Sequence, residues 1–224
     1  SNYGKAYYES IRKKLGPDAR NGVFVLAVDP WSIAGDKKTI RSGKEEVDGT
    51  FIATLACVHM DPNVEYLLKE YDKPLLNIIL PDPRKEDDRL TLHKDGWLET
   101  DLDLSAQAVA ERTSRKVDEY RNTRLKNMLP SAWRLGYLGM TIDLLKEHGT
   151  VLLVRLPIHS SILRIEDEMM PGFDGVMQRL AQEKNVRYLK IPADDKAWTF
   201  TDGNHLAPAD GARVTRLIGQ ELLK

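Results

Sequence analysis

The pattern with most chemical content lies near the end of the chain, in Thr201-Asp202-Gly203-Asn204-His205-Leu206. An aspartate three positions before a histidine, across a turn that contains glycine, can accept a hydrogen bond from one imidazole nitrogen. The other nitrogen is then free to act as a base toward a hydroxyl nucleophile. Asp-Gly-Asn is also an ordinary turn sequence, and His205 would then only pack at the start of the last helix. Spacing alone leaves both readings open. Four more polar groups follow apolar runs that read as strands: Asp29 and Ser32 after Val23 to Val28, and Arg155 and His159 around the end of Val151 to Leu156. Ligands of open α/β sheets bind beyond the carboxyl ends of the strands. Asp29, Ser32, Arg155 and Asn204 are therefore expected to contact a substrate. Arg155 suits an anionic group, and a neighbouring acid would satisfy it as well.

These residues need a scaffold, and the pattern of apolar runs supplies one. Val23 to Val28, a continuous apolar run, and Val151 to Leu156 and Val186 to Ile191 are short, largely apolar and followed by polar loops, as expected of parallel strands buried on both faces. Helical spacing predicts helices over Tyr3 to Leu15, Asn63 to Tyr71 and Phe173 to Lys184, and a last one from Pro208 to the end. Asp103 or Ser105 caps a long helix running to about Met128. Pro130 opens another that buries Trp133, Tyr137, Met140, Ile142, Leu144 and Leu145 and closes at Gly149. Leu90 to Asp101, around Lys94-Asp95-Gly96, reads as a β-hairpin, and Gly35 to Gly49 as a polar excursion. Strands alternating with helices predict one α/β domain over residues 1–224, a parallel sheet with helices on both faces. Residues from about 35 to 103 form an insertion within it.

The composition excludes several function classes. A formal net charge of -1 gives no global field toward nucleic acid or anionic lipid. The longest apolar runs are too short for a transmembrane segment. The single cysteine, Cys57, allows no internal disulfide and no thiolate-rich metal site. His59, His93, His148 and His159 show no metal-ligand spacing. No glycine-rich phosphate loop or dinucleotide fingerprint is present, so no cofactor is expected. Trp31, Trp97 and Trp198 suit either a groove or the core. The oligomeric state is not legible.

Asp-x-x-His directly before a C-terminal helix resembles the last motif of the SGNH (GDSL-like) hydrolases. Arg155-Leu156-Pro157 and Thr201 to Leu206 also look like the envelope-associated bacterial branch of that superfamily. The resemblance covers about Thr150 to Lys224 in element order as well as motif. It implies a three-layer, flavodoxin-like α/β fold and a cell-envelope setting. By that resemblance His205 is the catalytic base, Asp202 its orienting acid, and the substrate an acylated small molecule or glycan. The front of the chain departs from the family pattern. Val28-Asp29-Pro30 puts proline where the nucleophile belongs and fits better the later Gly-x-Asn-Asp motif, with Asp29 near the oxyanion-binding asparagine. The resemblance thus puts the nucleophile strand upstream of Ser1, with Ser32 the only stand-in within the chain. Two functions are open: an ester hydrolase or acyl transferase of Ser-His-Asp type, or a non-catalytic SGNH-like domain that binds a glycan or a partner protein.

Overall fold

The structure is a computed structural model and describes residues 2–43, 64–69, 90–92 and 98–224. Helix α1 (Lys5–Lys14) leads into strand β1 (Gly22–Ala27), and Asn21, in the left-handed region at φ 58°, turns the chain into the strand. A 3-10 turn (Pro30–Ile33), β2 (Ala34–Asp36) and α2 (Lys37–Arg41) follow. Next come α3 (Val64–Lys69), β3 (Leu90–Leu92) and β4 (Leu98–Thr100). Ser105 caps α4 (Ala106–Glu119), which passes through a π-helical turn at Tyr120–Arg124 and a last turn at Leu125–Asn127. After β5 (Met128–Pro130) come α5 (Ala132–Lys146), β6 (Gly149–Arg155), α6 (Ser160–Met169), α7 (Phe173–Glu183), β7 (Arg187–Lys190) and α8 (Pro208–Leu222).

The protein has an α/β fold. Its main sheet has the order β1-β6-β7 with both pairings parallel, so the three apolar runs are neighbours in one sheet. Side chains alternate across a strand, and on β6 they feed two separate cores. Val151 and Leu153 pack with Leu138, Ile142 and Leu145 of α5 and with Phe173 and Met177 of α7, and Tyr7 and Ile11 of α1 lie against that cluster. Leu152 and Val154 pack with Val214 of α8 and with Trp198 and Phe200. A third cluster joins Trp31 and Tyr120 to Ile158, Ile162 and Ile165, and ties α6 to the π-helical turn.

Several expectations need correction. Val23 to Val28 is not buried on both faces: Val23 is 59% and Val25 42% exposed, because α8 covers β6 and β7 but not this side of β1. Gly35 to Gly43 is not a polar excursion, since Ala34–Asp36 pairs antiparallel with Met128–Pro130 and Asp36 caps α2 through the Lys38 and Thr39 amides. Residues 44–49 lie outside the described residues. Pro130 belongs to β5, and it is the Ser131 hydroxyl that caps α5, by accepting the Arg134 N–H. Met140 is exposed while Leu138 and Thr141 are buried in its place. Helix α6 has no counterpart in the pattern reading above. Leu90–Leu92 and Leu98–Thr100 do pair antiparallel as a hairpin requires, although its turn and Trp97 lie outside the described residues. So does most of the expected insertion, and His59 and His93 with it.

Candidate functional site

The loop between β7 and α8 is closed at its base by backbone pairing. Phe200 and Leu206 form an antiparallel bridge, and the Thr201 amide donates to the His205 carbonyl at 2.8 Å. Inside it, Asp202 organises the turn. Its Oδ1 accepts the Asn204 amide at 3.0 Å and the His205 amide at 2.8 Å. The His205 imidazole closes the constellation, with Nδ1 lying 2.9 Å from Oδ2 and 3.1 Å from Oδ1 of Asp202. Burial raises the Asp202 carboxyl, but the hydrogen bonds from the His205 ring and the two amides prevail and bring it down to about 2. The carboxylate can only accept, so Nδ1 carries the proton and Nε2 the lone pair. The ring is 66% exposed, and among the described residues Nε2 has no partner.

Neighbouring elements hold this loop in place. Arg112 of α4 donates through Nε to the Thr201 carbonyl at 2.8 Å and through Nη2 to the Asp103 carbonyl at 2.5 Å. Lys116, one turn on, stands 4.0 Å from Asp202 Oδ2. Gly203 has φ +83° and sits where a Cβ would meet Thr113 Cγ2 at 2.9 Å and Ile162 Cδ1 at 3.2 Å. Its carbonyl accepts the His159 amide at 2.8 Å. Only glycine allows both this backbone conformation and this approach to α4 and α6.

The other residues singled out from sequence have structural partners of their own. Asp29 caps the 3-10 turn by accepting the Ser32 amide at 2.7 Å, while the Ser32 hydroxyl donates to the Asp29 carbonyl at 2.6 Å. Ser32 is 2% exposed. Its hydroxyl is engaged and out of reach of a substrate, which removes it as a nucleophile. Arg155 is also buried. It bonds Glu166 at 2.8 Å and Asp174 at 2.9 Å and stacks over Phe173. Two acids of the chain therefore answer its charge, and at 5% side-chain exposure the guanidinium does not face an anionic substrate. Asn204 is half-buried beside Asp202 and His205. Trp31 is core, and Trp198 is buried with its indole N–H on the Pro192 carbonyl.

The sequence placed His159 at a strand end but missed its partners, Ser161 and Asp195. His159, the N-cap of α6, follows the end of β6, and Asp195 follows the end of β7. Because these strands are adjacent, the two residues meet, with Nε2 of His159 3.6 Å from Oδ2 of Asp195. On the other side of the ring, Nδ1 lies 2.7 Å from the Ser161 hydroxyl. All three residues line a cavity of about 750 Å³ between α4 and the strand ends, on the flank of the Asp202–His205 loop. Applying the strand-end rule to neighbouring strands, and not only to each strand alone, would have paired them. Among the described residues no group of His, Cys, Asp and Glu is arranged to hold a metal, and no helix is long and apolar enough to cross a membrane. Searches with the chain find no matching family model, no matching curated protein and no matching solved structure.

Proposed function

We propose that the protein is an SGNH-like ester hydrolase or acyl transferase acting on an acylated, glycan-type substrate, with His205 as general base and Asp202 as the acid that orients it. The observation that carries this reading is the 2.9 Å contact between His205 Nδ1 and the Asp202 carboxylate, with Nε2 left open. That arrangement fixes the tautomer and stabilises the imidazolium once Nε2 has taken a proton. Further support comes from placement, since the loop follows β7 at the carboxyl side of a parallel sheet and precedes α8. The resemblance implies a three-layer fold and a serine nucleophile. The outer edge of β1 pairs with no described strand. Nε2 can equally take a proton from water or from an acceptor sugar hydroxyl.

A second reading, a non-catalytic glycan-binding domain of the same type, is favoured by one observation: no described serine contacts His205. Acetate release from an acetylated oligosaccharide separates the two. For the enzyme, turnover falls by two orders of magnitude or more in H205A and substantially in D202N, which would lose the carboxylate that fixes the ring. Binding of the oligosaccharide with no acetate release above that of H205A would instead support the binding domain.

A further inference from the structure

We propose that Ser161, His159 and Asp195 form a second nucleophilic site, independent of His205, which takes esters bearing an apolar acyl chain. The protonation pattern follows from the local hydrogen bonds. The Ser161 amide donates to His159 Nδ1 at 3.2 Å, so Nδ1 carries the lone pair and the Ser161 hydroxyl, at 2.7 Å, donates to the same atom. The ring proton is then on Nε2, facing Asp195 Oδ2 at 3.6 Å. That distance is too long for a hydrogen bond. It does place a fixed negative charge beside an imidazolium. Asp195 is itself anchored, accepting the Ser160 amide at 2.8 Å and the Ser160 hydroxyl at 2.6 Å. Burial pushes its carboxyl up, but these bonds outweigh that and keep it below the usual range.

The surroundings fit an acyl chain. Leu104, Val109 and Val117 line one side of the cavity of about 750 Å³, and Trp198 and Phe200 line the other. Phe200 also meets the His159 ring edge to face, with centroids 5.9 Å apart, which fixes the imidazole plane. A helix cap needs only an acceptor for the Ser161 amide. It does not need a hydroxyl on the same nitrogen, an acid behind the ring, and an apolar cavity onto which all three open. That combination is what nucleophilic catalysis requires.

The reaction closes without a further reactant beyond water. Ser161 Oγ bonds to the acyl carbon while its proton passes to His159 Nδ1. The tetrahedral adduct collapses, its bond to the alkoxy oxygen breaks, and the alcohol leaves with that proton. Water then attacks the acyl-serine, Nδ1 again takes and returns the proton, and a carboxylic acid and free Ser161 result. Thr113 and Ser114, on α4, line the same cavity and carry hydroxyls of the kind that can donate to an oxyanion.

The test is covalent labelling of the whole chain with an alkyl fluorophosphonate, followed by peptide mapping, alongside hydrolysis of 4-nitrophenyl octanoate. The expected adduct is on Ser161. It is absent in S161A and forms at least tenfold more slowly in H159Q. In A110W, which fills the cavity from α4, octanoate turnover falls several-fold more than acetate turnover. No adduct on Ser161 in the unaltered chain overturns the proposal, and so does a labelling rate indifferent to H159Q. An adduct that disappears in H205A would assign the chemistry to the terminal loop and also overturn it, whereas loss of acetylated-glycan turnover in H205A alone bears only on the other site.

Discussion

Replacing Gly203 by alanine should destabilise the protein by about 2–5 kcal/mol, and the structure divides that figure into two parts. The first is backbone: at φ +83° an L side chain is in the left-handed region, which costs about 1–2 kcal/mol. The second is packing. The new methyl would lie 2.9 Å from Thr113 Cγ2, 3.2 Å from Ile162 Cδ1 and 3.5 Å from His159 Cβ. The isoleucine methyl ends a flexible side chain and can yield, whereas the threonine χ1 is stiff. Overpacking of this kind costs about 1–3 kcal/mol. Gly172 supplies an internal control, because it has φ +76° with nothing within 4 Å. G172A should therefore show the backbone part alone. Urea unfolding of both variants at a common slope measures the difference, expected at about 1–3 kcal/mol. Adding T113S, which removes Cγ2, should recover most of that difference in G203A and little in G172A. Equal midpoints for G203A and G172A, or no recovery with T113S, would refute the account of how this loop is held.

Three other outcomes follow from the described contacts. Replacing Arg155 by methionine leaves the buried Glu166 without its partner, whereas Asp174 keeps Tyr188 and Lys190, and should cost about 3–5 kcal/mol, while removing Arg155 and Glu166 together with apolar residues should cost less, as read by chemical denaturation. Burial above all, then the charge of Asp29, pushes the Glu166 carboxyl up to about 7 against the pull of Arg155. The folded state then keeps a proton that the unfolded chain releases near 4.5, so stability should fall as pH rises from about 4.5 to 7, by on the order of 3 kcal/mol at most, and E166Q should flatten that slope in pH-dependent melting. In the terminal loop, D202A removes the acceptor of two backbone amides and should cost about 1–2 kcal/mol. H205A, at an exposed ring, should stay within about 0.5 kcal/mol, and equal losses in calorimetry would count against this division.

Much of the scaffold was legible because its signals are local. Three short, largely apolar runs became the three strands of the main sheet, and Ser105 caps α4 as its side-chain chemistry predicts. The Asp202–His205 contact was legible for the same reason, since both partners belong to one turn. What stayed hidden depends on tertiary partners. Nothing in Val23-Phe24-Val25 reveals that α8 stops short of this edge and leaves two valines in solvent. Helix α6 begins five residues after β6 with no glycine or capping acid to announce it, and its cap is an imidazole. The fate of Arg155 turns on Glu166, which only the course of α6 brings beneath it. Ser161 and Asp195 lie 34 positions apart, and only the adjacency of β6 and β7 brings them to the two sides of His159.

The strand order also sets a schedule for assembly. Leu153 pairs with Tyr188, 35 positions later, whereas Val25 pairs with Leu152 across 127 positions. Closing the longer span costs roughly 1 kcal/mol more chain entropy by the logarithmic scaling of loop closure, and distant pairings form slowly. The segment from β6 to α8 can therefore collapse as a unit of local contacts, with β1 arriving last at the rim of a sheet already formed. In pulsed hydrogen exchange during refolding, the amides of β7 should become protected before those of β1, although the two strands flank the same central neighbour.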